Sequence, residues 1–255
     1  MNLNRIVFII ASVVFNSGVL APSTAQINAQ FDHAKTLLIE ARDKIFNFDK
    51  NDTLIEKDIY QSQLIFNQLS SPRDRLYWSA QTEYYEGLFF LKKQMLKDAE
   101  FHFTKCNSLL TKAIKEYGDF SEAYSLLADS YMQIMLNKGI TYQILNGQKL
   151  KFFPERALQL DSANIKAYQS LAVYCMNAPE ALGGGIHRAI DLLVKLSSKD
   201  KGEMFKIYYL LGNAYMKIHN TVLASQYLQR ALTLYPQNKW AEDDLESMTS
   251  KKIVK

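Results

Sequence analysis

The segment from Phe205 to Asn238, FKIYYLLGNAYMKIHNTVLASQYLQRALTLYPQN, constrains the fold more than any other part of the chain. Bulky and small residues stand along it at fixed offsets: Tyr208, Leu211, Gly212, Tyr215, Ala224, Leu228, Ala231 and Pro236. The same offsets return upstream. Tyr168, Leu171, Ala172 and Cys175 copy the first half, and Ala189 and Leu193 the second. Tyr124, Leu127, Ala128 and Tyr131 open an earlier copy that Ala157 closes in RALQLD, parallel to RALTLY around Ala231; Gly87, Phe90, Ala99 and Phe103 mark one before that. A recurring unit of this length cannot bury its apolar face alone, so stacked neighbours must supply a continuous core.

The eight residues from Tyr208 to Pro236 resemble the tetratricopeptide (TPR) repeat, a helix hairpin of roughly 34 residues, at its bulky, Leu, Gly, Tyr, Ala, aromatic-or-aliphatic, Ala and Pro positions. The resemblance is specific over this last copy and weakens toward the N-terminus. It implies an all-α, right-handed TPR-type solenoid of about four to five hairpins plus a C-terminal capping helix. The implied organisation is one domain over 26–255, with the clearest repeats at 80–120, 121–164, 165–204 and 205–238 and a cap at 239–250.

Spacing shows where the copies depart from one another. Cys175 to Ala189 spans 14 residues where Tyr215 to Ala224 spans 9, which puts the PEALGGG segment into the turn between two helices. Tyr131 to Ala157 spans 26 where Tyr215 to Ala231 spans 16. Ala99 to Ala113 spans 14 where the regular gap is 7, about two helical turns, so a lengthened helix keeps its apolar face in line. Gln30 to Phe46 and Leu54 to Leu69 carry apolar residues at helical spacing and form a divergent first pair, with turns at Asp49 to Asp52 and Ser70 to Pro72. Pro154 either starts a short helix or kinks a longer one beginning near Tyr142. No segment alternates with period two, so no sheet is expected.

At the N-terminus, Arg5, the apolar run Ile6 to Phe15, the polar break Asn16 to Gly18 and the exit Ser23, Thr24, Ala25 have the layout of a cleavable signal peptide over 1–25. The run is too short for the roughly 20 apolar residues of a membrane span. The mature protein is therefore expected to be exported, periplasmic in a two-membraned bacterium, with membrane involvement only through the export signal. Charges are mixed and sum to +4; the largest basic cluster, Lys251, Lys252 and Lys255, reads as a solvated tail and not as a nucleic-acid footprint. Export would permit a Cys106–Cys175 disulfide. The repeat register speaks against it, since the two cysteines fall at well-separated levels of the stack and read as buried apolar residues.

In TPR proteins the first helix of each hairpin lines a concave groove, and the residue after the Tyr215-type position points into it. The resemblance thereby nominates Met132, Met176 and Met216, either as a repacking binding stripe or as core between repeats. Tyr84, Asp129, Tyr209, Asn213 and Lys217 share that surface and would give a mixed groove suited to a peptide or helix. TPR domains that clasp a C-terminal carboxylate use Lys and Asn at set positions; Tyr209 stands in the place of that Lys, and only Asn213 fits. Gly184, Gly185 and Arg188 approach the start of a helix near Ile186 and could meet an anion, but no strand precedes them and the Lys and Ser/Thr of a phosphate loop are missing. A flexible turn is the plainer account. His33, His102, His187 and His219 are scattered, and no GxSxG or HExxH pattern occurs, so no catalytic residue, metal or cofactor is expected.

The expectation is a non-enzymatic protein–protein interaction scaffold or accessory subunit of the bacterial cell envelope, holding a partner peptide or helix in its groove. The alternative is a small-ligand or anion-binding accessory protein of a solute-uptake system. An apolar pocket closed by the two inserted turns would favour the alternative, an open groove the scaffold.

Overall fold

The computed structural model describes residues 24–253 apart from Asp119 and Asn137. The leader expected over 1–25 lies outside the described residues except for Thr24 and Ala25, which begin the first helix. Eleven α-helices follow: α1 (Thr24–Phe46), α2 (Asp52–Phe66), α3 (Pro72–Lys92), α4 (Leu96–Tyr117), α5 (Ser121–Leu136), α6 (Ile140–Leu160), α7 (Ile165–Asn177), α8 (Ile186–Leu193), α9 (Lys201–Lys217), α10 (Thr221–Leu234) and α11 (Lys239–Ile253). A short 3₁₀ turn, Glu180–Leu182, stands between α7 and α8. No strand occurs among the described residues. Successive helices pack as pairs, α1 on α2 through α9 on α10, and the pairs contact their neighbours in order, with α11 against α10. The result is a repeat-like, all-helical arrangement consistent with a helical solenoid. No described helix is long and apolar enough to cross a membrane.

Local chemistry sets the helix ends. The side chains of Asn51, Ser71, Asn164, Asp200 and Asn220 each accept a first-turn N–H, satisfying donors that have no partner within the helix. Three of the turns share one geometry. Phe48, Gln94 and His219 take φ of 52°, 59° and 59°, and the next residue's N–H reaches the carbonyl five positions back, at Lys44, Phe90 and Tyr215. This is the left-handed helix stop in which glycine is commonest.

Small residues bring paired helices close. A Cβ on Gly87 would stand 2.5 Å from the Phe103 ring, and one on Gly212 would stand 2.7 Å from Leu228. The closing alanines, Ala113, Ala157 and Ala231, are fully buried. The lengthened helix is α4, and α6 runs unbroken through Pro154, so the proline sits inside a long helix rather than starting a short one. Cys106 and Cys175 are free and buried.

One feature is not a repeat property. The C-terminal end of α1 packs against α9 and the α10–α11 turn, at the far end of the sequence. Arg42 donates to both carboxylate oxygens of Asp200 at 2.8 and 3.0 Å and to Asp43 at 2.9 and 3.0 Å. The Tyr235 hydroxyl donates to Asp43 at 2.6 Å, and the Asn238 amide donates to the Phe46 carbonyl at 2.6 Å. Phe46 packs its ring against Phe205, Tyr235 and Trp240. Buried Phe205, Ala231 and Tyr235 accordingly belong to the same core as α1 to α5, while a second core joins α5 to α10.

Candidate functional site

The closing seam changes what the inner face can do. With Phe46 of α1 and Trp240 of α11 drawn together, the inner surfaces of α3, α5, α7 and α9 line a partly open cavity of about 420 Å³. Its walls are mostly apolar, among them Leu88, Leu91, Leu136, Leu150, Val173 and Leu210. Phe46, Tyr84, Phe205, Tyr209 and Trp240 add aromatic faces around one end. A second cavity of about 470 Å³ shares Met132, Leu136 and Leu150 with the first and extends under the 3₁₀ turn. Its lining includes Gly147 of the long α6 and Ala178, Pro179 and Leu182 of the inserted turn. Both insertions therefore serve as walls.

The polar groups gather at the aromatic end. Asp129 of α5 accepts from Lys206 of α9 at 2.8 Å through one oxygen and from the Ser170 hydroxyl through the other. Burial draws the Lys206 pKa down, but the charges of Asp129, Tyr84 and Glu203 and the hydrogen bond to Asp129 together outweigh it and hold the ammonium well above its ordinary range. Lys166, 3.7 Å from Glu203, is raised in the same way: burial opposes, and the charges of Glu203, Tyr77 and Tyr85 together prevail. The Tyr84 hydroxyl is pushed up by burial. Gln169 donates to the Glu203 carbonyl at 3.1 Å. A carbonyl only accepts, so this bond fixes which end of the Gln169 amide points inward. Two buried acceptors, Gln169 Oε1 and Glu203 Oε2, then lack a hydrogen-bonding partner.

This constellation is not a nucleophile and its base. Ser170 faces a carboxylate already neutralised by Lys206, and that lysine is held protonated and cannot take a proton.

Of the residues nominated from sequence, Tyr84, Asp129, Met132 and Tyr209 line the main cavity. Met176 packs on the second core, and Met216, Asn213 and Lys217 are outside the lining of both cavities. Asn213 donates to the Tyr209 carbonyl, and Lys217 donates to the Met176 carbonyl and to Asn177. In the inserted turn, Gly184 has no room for a side chain, since its Cβ would stand 1.9 Å from the Ala178 carbonyl oxygen; Arg188 donates to the Gly183 carbonyl at 2.7 Å. The arginine thereby braces the turn.

One cluster escaped the reading of the histidines because its partners come from another helix. His102 of α4 lies 2.9 Å from Glu83 and 3.0 Å from Glu86, which stand three residues apart on α3. Lys105 reaches the other Glu83 oxygen at 2.6 Å. Burial lowers the His102 pKa, but its bonds to the two carboxylates raise it further, to about 9. Glu83, Glu86 and His102 offer three potential metal-ligand atoms within 4.8 Å of one another. Two carboxylates facing an imidazolium and an ammonium nevertheless balance without an ion, and a metal would have to displace the His102 proton. The signal in sequence was Glu83-x-x-Glu86 opposite His102-x-x-Lys105.

No protein-family model matches the chain, and no curated protein does. Among solved structures, it is weakly similar to the C-terminal part of a TPR repeat-containing protein from Cytophaga hutchinsonii, with a TM-score of 0.35 and 16% identity over 84% of this chain and 99% of that one.

Proposed function

We propose that this protein is a non-catalytic binding protein that takes a small, elongated, largely apolar ligand into the partly open inner cavity. The observation that carries the proposal is the wall made by the two insertions and the α1 seam. Together they deepen what an open array would present as a groove into two adjoining, partly open cavities of about 420 and 470 Å³, within the range of small-molecule sites. Export through the leader at 1–25 is part of the proposal, and such a protein would act as an accessory in uptake or carriage of its ligand. Intact-mass analysis of natively produced material tests the export step, by loss of the first 25 residues.

A neutral apolar fluorophore, N-phenyl-1-naphthylamine, should bind saturably and quench Trp240, which lines the cavity. Val173→Trp, which fills the cavity from α7, should weaken that binding by about tenfold or more while leaving the helical circular dichroism unchanged. Binding of equal strength to both forms would overturn the proposal. A protein partner is the second reading, favoured by the exposed Leu136, Leu145 and Leu182, of which Leu136 and Leu182 also edge the second cavity. Leu145→Glu lowers affinity for a partner under that reading and leaves fluorophore binding untouched.

A further inference from the structure

Resting on the cavity as the ligand site, we infer that its ligand is uncharged and offers an acceptor oxygen, such as that of a ketone, ester or alcohol, to Lys206. Among the described residues, the only charged side chains that line the two cavities are Asp129 and Lys206, and they pair with each other at 2.8 Å. The lining is therefore neutral. A charged head would shed its water here and find no counter-ion that is not already taken, and burying an unpaired charge costs far more than burying a hydrogen-bonded neutral group. The small chamber that shares Tyr84 with the main cavity does not alter this balance. Arg42, Lys166 and Lys206 face Asp129 and Glu203 across it, Arg42 is bound to Asp43 and Asp200 as well, and a volume of about 10 Å³ holds a water but no head group.

Hydrogen-bonding capacity selects among neutral ligands. Asp129 spends both of its oxygens inside the protein, one on Lys206 and one on the Ser170 hydroxyl. An ammonium has three N–H groups, and Asp129 takes one of those of Lys206. The Lys206 side chain stays 24% exposed and stands on the cavity wall, so the capacity that the ion pair has left to offer is a donor. A ligand oxygen answers that donor, whereas a pure hydrocarbon would cover it and supply nothing in return. With its oxygen at Lys206, the apolar body of the ligand would lie along Leu150, which lines both cavities, toward the inserted turn.

The test is competition against bound N-phenyl-1-naphthylamine on the full chain at neutral pH, with 2-decanone, decylamine and decanoate as probes. 2-Decanone should displace the fluorophore at a concentration about tenfold or more below that of either ion. Breaking the pair should redirect the preference. Asp129→Asn leaves an unpaired ammonium and should improve decanoate by about tenfold; Lys206→Met leaves an unpaired carboxylate and should improve decylamine, and weaken 2-decanone, by about the same factor. Either ion displacing the fluorophore from the parent as readily as 2-decanone would overturn the uncharged assignment and leave the cavity reading intact. Equal binding of 2-decanone by the parent and by Lys206→Met would overturn the role given to Lys206. No saturable fluorophore binding at all would overturn the cavity reading itself. The three-probe series on the unaltered protein decides the charge of the ligand even where neither variant folds.

Discussion

Two kinds of contact hold this molecule together, and they are built from different chemistry. Between paired helices the contacts are apolar and close, as where Gly87 receives the Phe103 ring and Gly212 receives Leu228. At the seam where α1 meets α9 and α11 they are ionic and hydrogen-bonded, with Arg42 buried between Asp43 and Asp200. The hairpin contacts join neighbours in sequence and can form locally. The seam joins residues 158 and 192 positions apart and forms only when the whole array has assembled. Directional, geometry-dependent bonds suit that role, since they specify one way of closing where an apolar patch would accept several.

Arg42→Ala should therefore have the largest effect. It leaves Asp43 and Asp200 near the seam without their cation, and since both carboxylates are about a third exposed the loss should be roughly 3 kcal/mol, at the low end of what breaking a buried pair costs. Gly202 sharpens the point, because its missing side chain is what lets the Arg42 guanidinium lie against α9; a Cβ there would stand 2.6 Å from Cζ. Urea denaturation measures the loss, and small-angle scattering checks whether the native form expands. A variant as stable and compact as the parent would mean that the seam does not close the array.

Gly212→Leu tests the other kind of contact. Overpacking at a helix crossing costs roughly 1 to 3 kcal/mol, and here the clash is with a fully buried Leu228. Unlike the seam variant, it should destabilise without changing the radius of the native state, because the α9–α10 hairpin is internal to one repeat.

A smaller effect belongs to the α3–α4 hairpin, whose interface has ionic content. His102 has its folded pKa raised to about 9 from an ordinary 6.5, so its contribution is full below pH 6.5 and is lost as pH rises through 9. Glu83 has the opposite sign: burial raises its pKa, the bonds from His102 and Lys105 lower it further, and its contribution is lost only as pH falls into the acid range. Between pH 6 and pH 9.5 the melting temperature of the parent should fall by roughly 3 to 6 °C more than that of His102→Gln. Parallel profiles would show that the imidazolium contributes nothing.

The same division explains what could be read from the chain beforehand. The hairpins were legible because Gly212, Ala224, Leu228 and Ala231 recur at fixed offsets, and one pattern specifies one local packing. The inserted turns were legible as extra length, but nothing in PEALGGG says that Pro179 and Leu182 face a cavity. The seam was not legible at all. Asp200 and Asn238 each cap a helix, accepting from Glu203 N and Ala241 N; their second bonds, to Arg42 and to the Phe46 carbonyl, have no local signature. Four of the eight groove residues nominated by offset line the cavity, because the offset fixes a helix face but not how far the closing helices extend over it.

The smallest expected effect is at Lys217, which separates these two kinds of contact from a third that only looks like the seam. Its ammonium donates to the Met176 carbonyl at 3.1 Å and to Asn177 at 2.9 Å, bridging α9 to the end of α7 over 40 and 41 positions, and on paper it is another long-range polar tie. Both bonds are exposed, however, so water replaces them when they break and little desolvation has been invested in them. Lys217→Ala should change the unfolding free energy by no more than about 0.5 kcal/mol, measured by urea denaturation beside Arg42→Ala. A loss comparable to that of the seam variant would show that sequence separation, and not burial, decides which polar contacts hold the array closed.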